Sequence, residues 1–459
     1  MFNKSTIKAI PSSWNDKQRP ALLASMAILL SGLVGGLASW LTQYFAGREI
    51  LILLALIGFW IVTFFIIQKF DLMALVTFCF LSLVRLEPAP VDALAMVLLL
   101  VGILTHKISL KSLTGSSTIH LLLWLFVTMN LVALAVAPQF FDSLRYVIIT
   151  LYLIALAYFL KMYLTSVQAM RIFLIGYLLS VIIADLLVIL GYAGIFPAEL
   201  VIVENRAISF FKDPNVFGPF AILMIVVLID EIWHPRIFPG FNFLKILGVI
   251  IMSAILFLSF SRAALGNLGV SLLLYLVLNI KALSLTRIAK ILIMFMVVLL
   301  VLAIVIVQLD LISFLEWRAT PIQPYDLQRY TTQLVGLETG LSHPIGIGPG
   351  MSLGAHSLYV RTLVEYGFLG LIFLISSFII LLFLTFQRAL RETGKPFGLS
   401  AKVLFACFSG VMLNSLVIDT LHWRYLWIIF ALAWVLSTRE SQSPQIDAQI
   451  NSTNRRHST

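Results

Sequence analysis

"GPGMSLGAHSLYVRTLVEYGFLGLIFLISSFIILLFLTF", Gly348 to Phe386, begins as a glycine-rich loop and ends as an almost unbroken apolar run. Its second half suffices to cross a bilayer, since about 20 apolar residues at about 1.5 Å each span a hydrocarbon core of about 30 Å. Its start nevertheless carries His356, Arg361 and Glu365, side chains that hydrocarbon rejects. They belong at one face of the membrane, together with whatever else faces that side. Arg361 and Glu365 are four residues apart on one helical face, so they are expected to form a structural pair that neutralises both charges. His356 precedes the helix at the membrane surface and titrates near neutral pH, which makes it the candidate catalytic residue.

Similar apolar runs recur along all 459 residues, which are 61% hydrophobic and 11% charged, where a soluble domain carries about 25% charged residues. They fall roughly at 20–41, 50–67, 72–86, 91–105, 118–138, 146–160, 172–194, 216–232, 243–260, 263–280, 288–308, 357–386, 403–418 and 423–437. The expected fold is all-α, a polytopic transmembrane helical bundle of about 12–14 spans. Residues 20–438 form one integral membrane domain between polar tails at 1–19 and 439–459, with the longest outer loop at about 309–356. The polar, basic stretch Met1–Arg19 carries no cleavage pattern, so the first span is expected to serve as its own insertion signal. Cys79 and Cys407 both lie inside apolar runs and read as small hydrophobes.

With both termini placed in the cytoplasm, most of the 31 basic residues gather on the cytoplasmic side, as the positive-inside rule requires. The net charge of +10 is therefore read as a basic cytoplasmic face, with no nucleic-acid partner. Left outside are Arg48, Arg85, Arg145, Arg206, Lys212, Arg262, Arg318, Arg329, Arg361 and Arg424. All but one are arginine. Topogenesis does not ask for arginine there, whereas bidentate recognition of phosphate does.

Three outer segments supply the candidate site. In "VENRAISFFKDPNVFGPF" (Val203–Phe220), Asp213 reads as a helix N-cap and Pro214 as the first helical residue. The positive end of that helix then points outward beside Arg206 and Lys212, a ready anion site. In "ILFLSFSRAALGNLGV" (Ile255–Val270), Arg262 separates two apolar runs too long for one span, so the chain is expected to break at Ser259–Arg262. The third segment is the long loop with "HPIGIGPG" (His343–Gly350), which leads into His356 and is no P-loop, because no Gly-Lys-Ser/Thr follows. The turn "DTLHWRYLW" adds His422 and Arg424 as weaker candidates. No Asp-x-Asp motif or Cys/His cluster is present to hold a metal, so a phosphate bound at this face would depend on the fixed charge of Arg206 and Arg262, with Lys212 near them.

"NRAISFFKDPN", "LSFSRAALG" and "HPIGIGPGMSLGAHSLYVRTLVEYGFLGL" resemble, in this order and spacing, the signature segments of the O-antigen ligase and polymerase family. The likeness runs from about Asn205 to Leu371 and is topological only over the N-terminal half. Arg206, Arg262 and His356 fall on the family's functional positions. The resemblance implies a bacterial inner-membrane glycosyltransferase of GT-C type. It would move a glycan from undecaprenyl diphosphate to a glycan or lipid acceptor at the periplasmic face, without metal or other cofactor. The ligases have twelve spans, and the longer count here leans towards a polymerase. The competing reading is a flippase for lipid-linked oligosaccharide or a transporter of anionic solutes, which calls for charges near the midplane and an inverted repeat. Neither is evident in the sequence.

Overall fold

The computed structural model describes residue 63 and residues 67–437, apart from 86–88, 109, 114–116, 283, 321–322 and 393–397. The tails 1–19 and 439–459, Arg48, and the spans expected at 20–41 and 50–67 (save residues 63 and 67) lie outside the described residues. From Phe70 the chain is a single packed unit. It runs through α1 (Phe70–Cys79), α2 (Pro90–Leu104), α3 (Ser117–Ala135), α4 (Phe140–Tyr163) and α5 (Val167–Tyr192). A two-residue-per-strand hairpin follows, β1 (Ile202–Val203) and β2 (Arg206–Ala207), then α6 (Pro214–Trp233), α7 (Asn242–Leu258) and α8 (Arg262–Leu278). The chain continues through α9 (Leu285–Gln308), α10 (Ile312–Ala319), α11 (Pro324–Ser342), α12 (Leu358–Arg391), α13 (Ala401–Asn414) and α14 (Arg424–Ser437).

Every apolar run expected between residues 72 and 437 coincides with a helix. Five of these, α3, α4, α5, α6 and α12, are long and apolar enough to cross a membrane, and α9 with α10 makes a sixth if that pair is one span bent by 115°. The remaining apolar helices have 10–17 residues. The stretch expected as an open loop at 309–356 is instead largely helical, because "PYDLQRYTTQLVGLETGLS" carries its own start signal. Pro324 takes the first helical position, and Asp326 Oδ2 accepts a hydrogen bond from Gln323 N at 3.0 Å.

Helix α6 is buried along nearly its whole length and packs against α7, α8 and α13. Its Gly218 allows the start of α8 to approach: a Cβ there would lie 2.7 Å from that of Ala264. Between α7 and α8 the chain reverses where the sequence has its polar residues. Phe260 takes a left-handed φ of 46°, and Ser261 Oγ caps α8 by accepting from Ala264 N at 3.2 Å.

Helix α12 answers the question posed by its own sequence. Its 34 residues are interrupted at Gly367, with φ 72° and ψ −175°, so the polar start Leu358–Tyr366 is set off from the apolar remainder. The interruption frees carbonyls that lipid cannot satisfy, and such backbone survives at membrane depth only where protein partners it. The glycine-rich loop supplies the partners. Ile347 N donates to Val364 O at 2.9 Å, Gly348 N to Glu365 O at 3.3 Å, and Phe368 N returns a bond to Pro344 O at 3.1 Å.

Gly367→Ala should therefore destabilise the purified protein by about 1–3 kcal/mol from backbone strain alone, since its Cβ would also sit 2.7 Å from the Ile345 carbonyl carbon. Gly269→Ala, inside α8 with nothing within 4 Å of the new Cβ, should be neutral or stabilising by up to about 1 kcal/mol. Thermal unfolding in detergent checks both, and equal midpoints for the two variants would contradict the account of the break.

Candidate active site

The hairpin β1–β2 carries Arg206. Val203 pairs with Arg206 and Ile202 with Ala207, and the two turn residues, Glu204 (φ 47°) and Asn205 (φ 60°), are both left-handed, as the tightest hairpin connection demands. This brings Arg206 back over the start of α6. There Asp213 caps the helix, accepting from Asn215 N at 2.6 Å. Arg206 Nη2 donates to Asn215 Oδ1 at 3.4 Å, and its Nε donates to Ser259 O at 3.0 Å. Asn215 Oδ1 also accepts the Ser261 hydroxyl at 2.7 Å. Two helix N-termini, of α6 and α8, are thereby tied to one side-chain oxygen. Both present their positive ends to the same space.

That space is a cleft of about 580 Å³ walled by α8, α11, α13 and the end of α10, into which Arg206, Arg262, Arg318 and Arg329 all project. Arg318 Nη2 donates to Phe260 O at 2.7 Å, and its Nη1 donates to Gln323 Oε1 at 3.2 Å and to the Tyr325 hydroxyl. Its buried Nε has no partner among the described residues. Arg329 stands over the Tyr325 ring, 5.2 Å from the centroid. Arg262 Nη2 reaches both Asp326 carboxylate oxygens at 2.6 Å and the Tyr325 hydroxyl at 3.2 Å.

Among the residues lining the cleft, Asp326 is the one carboxylate against four guanidinium groups. Among the described residues the hydrogen-bond partners of Arg206 and Arg318 are neutral oxygens, while Arg329 lies over the Tyr325 ring and feels the charge of Asp326. Burial and then the charge of Arg318 push the pKa of Arg206 down to about 10, so it remains charged at neutral pH. Guanidinium groups gathered without carboxylates repel one another, and only an anion relieves that repulsion. Among the described residues no group of three His, Cys, Asp or Glu side chains is placed so as to hold a metal ion.

His356 is not among the residues lining the cleft, but it is near enough to Arg329 to feel its charge. It follows Gly354 in a loop fixed from below, where Ser357 Oγ donates to Ser415 O at 3.3 Å and Leu358 N to the same oxygen at 3.0 Å. Its imidazole is half-buried and makes no side-chain hydrogen bond with any described residue. Burial and then Arg329 hold its pKa below the ordinary histidine value, opposed by Asp213 and Asp419. A neutral, uncommitted imidazole beside an anion site suits proton abstraction.

The other residues singled out from sequence stand elsewhere. Arg361 Nε donates to Glu365 Oε1 at 2.7 Å, and its Nη1 pairs with Asp419 Oδ2. Arg361 also lies over the Tyr146 ring, so the charges at the start of α12 form a buried network beneath His356. His422 belongs to this network: its Nε2 meets Thr150 Oγ1 at 3.0 Å and its ring leans on Tyr146. Burial holds its pKa well below the usual histidine value. Arg424 grips Asp92 with two nitrogens and reaches Tyr152, away from the cleft. Lys212 is exposed next to Asp213 and does not line the cleft. Sequence reasoning placed Arg318 and Arg329 among the surplus outer arginines without assigning them to the site, and it missed Asn215, Tyr325 and Asp326. The "PYD" helix start was the available signal for the last two.

The chain matches no protein-family model and no curated protein sequence.

Structural and site arginines should separate in a stability measurement. Arg424→Ala strands Asp92 in a buried environment and should cost about 3–5 kcal/mol. Arg329→Gln removes a like charge from the cleft and should leave the melting temperature unchanged or raise it. A large loss of stability in Arg329→Gln would show that the cleft is a structural polar core.

Proposed function

We propose that the chain is a membrane-embedded glycosyltransferase of O-antigen ligase or polymerase type, with about 12–14 spans in a GT-C-like arrangement. It transfers a glycan from undecaprenyl diphosphate to a hydroxyl of a glycan or lipid acceptor, at the periplasmic face of a bacterial inner membrane. The observation that carries this reading is the cleft, with four arginines, two helix N-termini and a single carboxylate, and His356 close enough to Arg329 to feel its charge. The resemblance of the segments bearing Arg206, Arg262 and His356 to that family's signatures supports it.

The roles follow from the chemistry. Diphosphate is a good leaving group once its developing charge is met, and preorganised guanidinium groups meet it without reorganisation. Arg206 and Arg318, held by neutral acceptors, are set for that task, while Arg262 and Arg329 complete the clamp. The acceptor hydroxyl is the weaker partner in the reaction. His356 removes its proton as the oxygen attacks the anomeric carbon in line, inverting the configuration. Arg361, Glu365 and Asp419 fix the helix start that carries His356.

Reconstitution with a labelled lipid-diphosphate glycan and candidate acceptors tests the assignment. His356→Ala should keep donor binding near normal while turnover falls about a hundredfold or more. Arg206→Ala or Arg318→Ala should weaken the donor by about 1.5–3 kcal/mol, and Lys at either position should rescue only in part. Full turnover by His356→Ala removes the base, and movement of donor across the bilayer without transfer replaces the enzyme with a flippase.

The pH dependence has a defined sign. The active imidazole is the neutral one and its pKa is depressed, so the rate should stay flat through neutral pH. It should fall only as the pH drops below the ordinary histidine value of about 6.5. That acid limb should vanish from the residual activity of His356→Ala. Turnover should also persist in a strong chelator, and loss restored by a divalent cation would show that the arginines are not the main electrophilic assistance.

A further inference from the structure

The first turn of α11 stands inside the cleft rather than beside it. Tyr325 lies among three arginines, its hydroxyl accepting from Arg262 at 3.2 Å and from Arg318, and its ring facing Arg329. Asp326 places both carboxylate oxygens 2.6 Å from Arg262 Nη2. The same carboxylate accepts from Gln323 N at 3.0 Å, which makes it part of the start of its own helix. A carboxylate and a phenol oxygen thus hold donors that an incoming phosphate would need. The Arg262–Asp326 pair is reached by water, with the side chains 42% and 27% exposed, so it can be exchanged without crossing a dry core.

We propose that Asp326, with Tyr325, is a built-in stand-in for phosphate: it holds Arg262 until a diphosphate displaces it, moving the start of α11. This rests on the diphosphate reading of the cleft. The physical case is one of exchange. Before a diphosphate arrives, Asp326 lowers the repulsion among the arginines and keeps α11 docked. A diphosphate brings more charge and more acceptor oxygens than one carboxylate, and therefore wins the guanidinium. Its apparent affinity is reduced by the fraction of molecules in which Asp326 still holds Arg262. The helix that contributes Arg329, Tyr330 and Gln333 to the cleft wall then responds to the arrival of the donor.

The test uses inorganic pyrophosphate as probe on the purified full-length chain, with affinity measured by calorimetry at fixed low salt. Asp326→Asn keeps an acceptor for Gln323 N, and hence the helix start, but gives up the ionic hold on Arg262. It should bind pyrophosphate about 5–150-fold more tightly than the unaltered chain, the span of ordinary coupling between two sites. Glu338→Gln makes the same charge change on an exposed part of α11 and should bind as the unaltered chain does.

A spin label at Gln328→Cys, with Cys79 and Cys407 replaced by alanine, should gain mobility when pyrophosphate saturates the otherwise unaltered chain. This label separates displacement from simple loss of a repelling charge. Equal or weaker binding by Asp326→Asn, or an unchanged label spectrum at saturation, overturns the stand-in and leaves the diphosphate reading in place. Failure of both forms to bind pyrophosphate overturns the two together.

Discussion

A guanidinium group keeps its proton and has no low-energy place in hydrocarbon. Much of this architecture follows from giving four of them a location. They collect where the chain is least regular: on a hairpin with two left-handed residues, at the capped reversal between α7 and α8, at the end of α10 and on the first turns of α11. The reversal between α7 and α8 exposes backbone oxygens, and those oxygens hold two of the four arginines. Ser259 O and Phe260 O, left over where α7 ends, accept from Arg206 and Arg318. The broken backbone and the clustered charge satisfy one another.

The two polar centres differ in how their charge is balanced, and that difference divides structure from chemistry. Around Arg361 and Arg424, carboxylates sit at hydrogen-bonding distance in buried surroundings. Breaking such pairs is expensive, although forming them adds little net stability. In the cleft the balance is left open, with a surplus of positive charge held by neutral groups. A surplus of that kind makes no sense as packing. It suits the anion binding proposed for the cleft.

Much of the helical layout was legible in the sequence because hydropathy at this strength leaves few alternatives. The break at Ser259–Arg262 was legible from length alone, and the cap at Asp213 from its neighbour Pro214. The helices in 309–356 were not, because α11 mixes polar and apolar residues and carries no run long enough to register as a span. The site was legible where a residue is anomalous in its surroundings, as with Arg206, Arg262 and His356. Arg318 and Arg329 sit in ordinary polar sequence, and only the fold brings them to the others. His422 and Arg424 stood out as weaker candidates by sequence, but their partners, Thr150 and Asp92, are hundreds of residues away in the chain. Spacing gave no hint of either.

The interruption of α12 also bears on how the chain is made. Ribosomes deliver Pro344–Gly348 before Val364–Phe368, so the loop that satisfies the opened carbonyls already exists when they appear. Glu365 takes Arg361 from within its own helix, as soon as that turn forms. Asp419, the second carboxylate on Arg361, is synthesised only after the rest of α12 and all of α13. At each stage of biogenesis the charges of this segment have a partner at hand, and the last one to arrive locks an arrangement that the earlier ones have already made tolerable to the membrane.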